Sequence, residues 1–215
     1  MTTLLHLDAS ARRRSISREL SAAFAHSWRS QHPDGGYVYR DLAADPLPFI
    51  DEGWTELCDA VLSQRNTDLD RISELVRTPA QESAWDIAGP LLAELRAADV
   101  VLIGSPMYNY SIPAALKAWL DQVTFPRMSL APRRFVIAAA RGGAYSDGAP
   151  KAAFDYQQRY LRDFLAGHFA VTETAFITAE LVNSRHDPAL AHLRADHERS
   201  YALAIDTARL LGKEY

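Results

Sequence analysis

Short apolar runs alternate with amphipathic stretches from one end of the chain to the other, the pattern of a parallel sheet whose crossovers are helices. LLHLD at residues 4–8 predicts a first strand. Over 18–32, Leu20, Phe24 and Trp28 recur at helical spacing, and Gly35-Gly36 then stops the helix. YVYRDL at 37–42 predicts a second strand. DVVLIGS at 99–105 is a nearly unbroken apolar run, as a central parallel strand buried on both faces requires. After it Pro113 falls in a first helical turn, and Leu116, Trp119, Leu120 and Val123 follow at i, i+3, i+4 and i+7. RFVIAAA at 134–140 predicts a fourth strand, 151–168 a helix, and TAFITAE at 174–180 a fifth strand. Asp187-Pro188, an N-cap and N1 pair, opens a closing helix that runs to about Leu211.

Five strands with helical crossings predict an α/β fold, a doubly wound parallel sheet of order 2-1-3-4-5 with helices on both faces. At about 30 residues per unit such a sheet needs roughly 150 residues, leaving about 65 of the 215 spare. Most lie between strands two and three, in 43–98, where Pro46 and Pro48 precede helical stretches around 54–65 and 80–97. No repeat, low-complexity tract or linker interrupts the chain, so residues 1–215 are expected to form one domain carrying a helical insertion. Such an insertion either covers a site and builds dimer contacts or simply covers core.

Composition narrows the function classes. Apolar residues make up 48% and charged residues 23%, with 10 Gly and 11 Pro, which is globular. A net charge of −4 leaves no basic field to hold nucleic acid or an anionic membrane. The single Cys58 excludes an internal disulfide framework and a cysteine-rich metal site, and fits a reducing cytoplasm. The start, MTTLLHLDAS, lacks the basic region of a secretory signal, and no apolar run approaches the length of a membrane span.

In open α/β sheets ligands bind beyond the carboxyl ends of the strands, where strand order reverses, here between strands one and three. The loop after strand one, Asp8-Ala9-Ser10-Ala11-Arg12-Arg13-Arg14-Ser15-Ile16-Ser17, leads into a helix. Free N–H groups, the hydroxyls of Ser10, Ser15 and Ser17, and nearby arginines suit a phosphate dianion. An ordinary Ser-capped turn with solvated arginines would read the same way. After strand three, Met107, Tyr108, Asn109 and Tyr110 crowd into a short turn. Flat apolar groups beside an amide suit a planar heterocycle, stacked and hydrogen-bonded by its edge; packing against the insertion is the alternative. The fourth strand ends in Arg141-Gly142-Gly143-Ala144-Tyr145, where paired glycines let backbone N–H groups approach a ligand, or merely turn the chain.

Other chemistries fail on the letters. No G-x-G-x-x-G follows strand one, and Gly143 and Gly148 have Walker-type spacing but lead into Ala149-Pro150 rather than Lys-Ser/Thr. No G-x-S-x-G elbow is present. His186, His192 and His197 are spaced so that on one helix they point in divergent directions, and no metal site is expected. Asp8 lacks the neighbouring acids of a magnesium receiver. A phosphate cradle beside a planar-ring slot matches a flavin mononucleotide.

D-A-S-A-R-R-R-S-I-S at 8–17, S-P-M-Y-N-Y-S-I-P-A-A-L-K-A-W-L-D at 105–121 and R-G-G-A-Y at 141–145 carry a resemblance to a known family, the FMN-dependent NAD(P)H azoreductases and quinone reductases of flavodoxin-like fold. The similarity spans nearly the whole chain. It implies FMN as cofactor and NADH or NADPH as co-substrate. Ser10, Ser15, Ile16 and Ser17 would hold the phosphate, Met107, Tyr108, Asn109 and Tyr110 would line the isoalloxazine, and Ala140, Arg141, Gly142 and Gly143 would meet its polar edge. It further implies a cytoplasmic homodimer with two flavin sites near its interface, and a small-molecule acceptor such as a quinone or azo compound reduced in a ping-pong cycle. Two other readings stay open: a flavin-binding electron carrier without NAD(P)H turnover, and a flavoenzyme dedicated to one metabolite.

The chain also departs from the family. Only Gln122 to Arg133 stand between Asp121 and the fourth strand, where relatives carry a longer segment that forms part of the substrate pocket, so the pocket here is expected to be more open or closed by something else. Ala140 stands where relatives often have a hydroxyl. His168, in an altered Ala166-Gly167-His168-Phe169-Ala170 stretch, is a candidate proton donor to an acceptor in the partner's site, or a solvent-facing residue at a helix end.

Overall fold

The apolar runs form five parallel strands, β1 (Thr3–Asp8), β2 (Gly36–Asp41), β3 (Val100–Pro106), β4 (Arg134–Ala140) and β5 (Thr174–Ala179), in one sheet of order β2-β1-β3-β4-β5. The structure is a computed structural model describing residues 1–215. Every residue of β3 is buried, because both faces of the central strand are covered.

Alternate side chains of each strand enter opposite cores. Leu4, Val100, Leu102, Val136 and Ala138 meet Phe24 and Trp28 of α1 (Ile16–Gln31) and Ala204 and Ala208 of α6 (Arg194–Glu214). On the other face Leu5, Leu7, Val101, Ile103, Phe135 and Ile137 meet α2 (Glu52–Ser63), α3 (Pro79–Ala97), α4 (Ala114–Val123) and α5 (Tyr156–Phe169) through Leu57, Leu91, Leu95, Trp119 and Leu161.

Caps explain where the helices begin. Asp51, Thr78 and Asp155 each accept the N–H three residues on, from Trp54, Gln81 and Gln158. The expected helix over 151–168 is therefore broken: a 3₁₀ turn, Ala152–Phe154, comes first, and α5 starts only after the Asp155 cap. The closing helix is likewise divided. Asp187 does cap the segment behind it, but what it opens is a 3₁₀ turn, Pro188–Leu193, and α6 begins at Arg194 and runs to Glu214. His186 and His192 thus lie outside the helix that carries His197, and the three do not share the one axis expected for them.

The insertion consists of α2 and a 3₁₀ turn, Leu69–Leu75, ahead of the crossover helix α3. Its Trp54, with Trp85 of α3, encloses Phe125 at ring separations of 5.8 and 6.1 Å, and Trp54 Nε1 donates to the Gln122 carbonyl at 3.3 Å. The shortened segment after α4 is drawn inward by its own apolar residues: Phe125, Met128 and Leu130 are all buried.

Candidate functional site

The loops after β1, β3, β4 and β5 surround a cleft of about 890 Å³, within the range of small-molecule sites. Of the residues singled out in the sequence, Ser10, Ser15, Ile16, Met107, Tyr108, Asn109, Tyr110, Ala140, Arg141, Gly142 and Gly143 line it. Ser17 does not. It is fully buried behind Ser15, with the two hydroxyl oxygens 3.3 Å apart.

Ser15 caps α1, its hydroxyl accepting the Arg18 N–H, while the Ile16 and Ser17 N–H groups have no acceptor within the chain. Arg12 and Arg14 line the same wall. This end of the cleft therefore presents hydroxyls, free amides and positive charge, the donor set a phosphate dianion requires.

Residues 108–111 form a two-residue hairpin. Tyr108 and Ser111 exchange both backbone hydrogen bonds at 2.9 Å, and the central Asn109 and Tyr110 both have positive φ, 49° and 70°. Asn tolerates that geometry; Tyr is strained in it by about 1–2 kcal/mol. The turn lifts both side chains out of the chain path. The Tyr110 ring reaches Phe154 at 5.6 Å and Tyr145 at 6.2 Å, making an aromatic rim to the cleft. Burial, with Tyr110 beside it, pushes the Tyr145 phenol up, so it stays protonated at neutral pH.

The third wall follows from peptide geometry, because each C=O points opposite to the N–H of the next residue. The carbonyls of Arg141, Gly142 and Gly143 accept from Val182, Asn183 and Leu181 of the loop after β5, at 3.0, 3.1 and 3.1 Å. The Gly142, Gly143 and Ala144 N–H groups are consequently turned away from that loop, toward the cleft, and none has an acceptor in the chain. Behind them the buried Arg141 guanidinium pairs with Asp155 at 2.9 Å, donates to Gln158 at 3.0 Å, and leaves its Nε–H unpartnered. Glu180 holds the next turn of chain by accepting the Tyr145 N–H at 2.8 Å and the Ser146 hydroxyl at 3.1 Å.

Sequence reasoning missed the residues that face this wall: Leu181, Val182, Asn183, Arg185 and His186, with Leu190 and Leu193 behind them. Their signal was positional, since the loop after β5 opens at the same sheet edge as the others. Residues 122–133 do not line the cleft, in line with a pocket left open or closed by something other than the shortened segment, and none of the insertion lines it either. Of the two roles open to the insertion, covering a site or covering core, it takes the second, and its Trp54 packs with Phe125 of the shortened segment under the sheet. His168 also lies elsewhere, exposed in the last turn of α5 and 4.9 Å from the Phe164 ring, in a shallow groove that Ser111 and Tyr156 also line. No group of three metal-ligating side chains occurs in the chain, and no helix is long and apolar enough to cross a membrane.

A doubly wound sheet with a phosphate-type cradle after β1 and free amides after β4 defines the flavodoxin-like class. The model of that fold family matches residues 2–202. The chain is 74% identical over 215 residues, covering all of both proteins, to an FMN-dependent NADH:quinone oxidoreductase of Nocardia farcinica. It is 37% identical over 225 aligned positions to an enzyme of the same name from Streptomyces avermitilis, covering 100% of this chain and 97% of that one. Among solved structures, an azoreductase from Bacillus anthracis superposes with a TM-score of 0.77 at 21% identity, with full coverage of both chains. An FMN-dependent NADH-azoreductase of the same species, solved in complex with FMN, gives 0.75 at 17% identity, covering 98% of this chain and 100% of that one. The chain belongs to this flavodoxin-like family, alongside the FMN-dependent NADH:quinone oxidoreductases.

Proposed function

We propose that the protein is an FMN-dependent NADH:quinone oxidoreductase, with the whole chain as a single FMN-binding domain. The observation that carries this reading is the facing of two donor sets across one cleft, the hydroxyls and amides of Ser10 to Ser17 and the three amides of Gly142 to Ala144, with the Met107–Tyr110 hairpin between them. The spacing of a phosphate end, a flat middle and a polar far edge suits FMN. Its bound ring would supply two-electron chemistry, taking reducing equivalents from NADH and passing them to the acceptor.

The chain's own part is to bind and orient. Ser10, Ser15 and the α1 amides would take the phosphate, with Ser17 supporting Ser15 from behind. Met107 and the Tyr108 to Tyr110 hairpin would set the plane of the ring. The Gly142, Gly143 and Ala144 N–H groups, fixed by the carbonyl bonds behind them, would face the ring edge where negative charge develops on reduction, an electrostatic contribution that costs no reorganisation. The exposed rings of Tyr110 and Phe154 leave one side open for NADH and acceptor in turn, in keeping with a ping-pong order.

The same reading takes the working unit to be a cytoplasmic homodimer. Support comes from exposed aromatic groups, Tyr110 of the cleft with Phe154 against it and Tyr156 in the neighbouring α5 groove, of the kind that mark interaction surfaces, and from a lone, buried Cys58 suited to a reducing compartment. His168 would then be read as a partner-facing residue on the α5 surface. The test is direct: purified protein should carry flavin absorbance, lose it on anaerobic addition of NADH, and regain it on addition of a small quinone. Bound flavin that NADH does not bleach would sink the proposal, and light scattering at the mass of one chain would sink the dimer.

A further inference from the structure

Arg18, in the first turn of α1, makes more directed contacts than any other side chain near the cleft, yet it is not part of the cleft lining. Its guanidinium is mostly buried, with 13% of the side chain exposed. Nε donates to the Arg12 carbonyl at 3.1 Å, and Nη2 donates both to the Ser10 carbonyl at 2.8 Å and to Asp41 at 2.7 Å. Nη1 donates to the Tyr39 hydroxyl at 3.0 Å and lies 3.5 Å from Asp8.

Strand register explains why a cation must stand there. β1 and β2 run parallel with His6 beside Tyr39 and Asp8 beside Asp41, so two carboxylates end adjacent strands on the same face of the sheet. Asp8 is further fixed by the Ser21 hydroxyl at 2.8 Å and the Tyr39 hydroxyl at 3.0 Å. Burial works against the charge on Arg18, but the bond to Asp41 and the field of Asp8 outweigh it and raise its pKa; the same bond holds the Asp41 carboxyl below the usual range. With its charge balanced by two carboxylates, Arg18 offers little net attraction to an anion in the cleft.

What it does offer is direction. The two carbonyls it takes, Ser10 and Arg12, belong to the loop assigned above to the FMN phosphate. Pulling each carbonyl inward turns the N–H of the following residue outward. For Ala11 the outcome is visible, since its N–H points to the hydroxyl of Tyr108, a cleft residue, at 3.2 Å. The Arg13 N–H, turned out by the same device, has no acceptor in the chain.

We infer that Arg18 is a positioning residue that fixes the shape of the Ser10–Ser15 loop and leaves its Arg13 N–H free for the cofactor phosphate, through hydrogen bonds to the Ser10 and Arg12 carbonyls and without touching the phosphate itself. The inference rests on the FMN reading of the cleft. A planar guanidinium with a fixed fork of donors can hold two carbonyls and two carboxylates at once; an ammonium, a compact point charge, cannot.

The test compares FMN with riboflavin, which differs only in lacking the phosphate, by titrating flavin-free protein and following flavin fluorescence. Wild type should bind FMN more tightly. Arg18→Lys, which keeps the charge, should weaken FMN by about tenfold or more while riboflavin changes by less than about threefold. Asp41→Asn, which loosens one tether and leaves Arg18 in place, should lower the FMN preference by a smaller factor, and it carries the test if Arg18→Lys fails to give a cooperative unfolding transition. A wild-type protein with no preference for FMN would overturn the phosphate assignment and the inference with it. A wild-type preference that survives unchanged in the variants, or an equal loss for both flavins, would overturn the role of Arg18 alone.

Discussion

Phe125→Ala separates two accounts of the short segment after α4. The ring is 1% exposed, between Trp54 at 5.8 Å and Trp85 at 6.1 Å, and its own N–H donates to the Met128 sulfur at 3.2 Å. The void left by the ring would be walled by two indoles that cannot easily close it, since Trp54 is tied to the Gln122 carbonyl. Truncation of a buried Phe then costs about 3–5 kcal/mol, a large share of a typical net stability of about 5–15 kcal/mol. At roughly 2–4 °C per kcal/mol for a chain of this size, the unfolding midpoint should fall by about 6–20 °C. Because no residue of 122–133 lines the cleft, FMN affinity measured where both proteins are folded should stay within about twofold. The assay is urea and thermal unfolding of the flavin-free protein at fixed concentration, so that ligand does not mask the difference, together with a flavin titration. An unchanged midpoint with weakened FMN binding, or a raised quinone KM, would refute the placement and return the segment to the pocket wall.

Three further outcomes test the packing around Asp8, the hairpin and the buried thiol. In Gly104→Ala the new methyl would meet an Asp8 oxygen at 2.1 Å, and because Asp8 is held by Ser21 and Tyr39 it cannot move aside cheaply; urea unfolding should record a loss of about 1–3 kcal/mol, and a loss below half a kcal/mol would contradict the packing. Asn109→Val places a β-branched residue at φ 49°, so the hairpin should loosen and FMN affinity should drop about tenfold, at a strain of about 1–2 kcal/mol; equal affinities by titration would mean the turn does not present the flavin site. Burial, reinforced by Asp59, pushes the Cys58 thiol up to about 12, so at pH 8 it remains the unreactive neutral form; a chromogenic disulfide reagent should label it only on unfolding, and rapid labelling of native protein would contradict its burial.

How much of this was legible from the letters depends on the range of the interaction involved. The five strands could be read because both faces of a central parallel strand demand apolar residues at every position, as Val100 to Ile103 display. The loops after strands one, three and four announced themselves through residue types that suit a ligand better than a core. The β5 loop did not, because Leu181, Val182 and Asn183 act on the site through backbone N–H groups that fix the carbonyls of Arg141 to Gly143, which no side-chain type announces. Arg18 was hidden for a similar reason: its five-way contact depends on Asp41 and Tyr39, which only strand pairing brings beside Asp8.

The sequence by itself therefore determined the element order, the sheet class and the chemistry of three loops, since each is encoded in side-chain type and short-range spacing. The tertiary structure decided what spacing cannot express. It sent the insertion and the shortened segment into one aromatic cluster under the sheet, where burying Phe125 between two tryptophans outweighs leaving them at the cleft. It also set the directions of the free amides on two walls, which follow from where the neighbouring carbonyls find their partners.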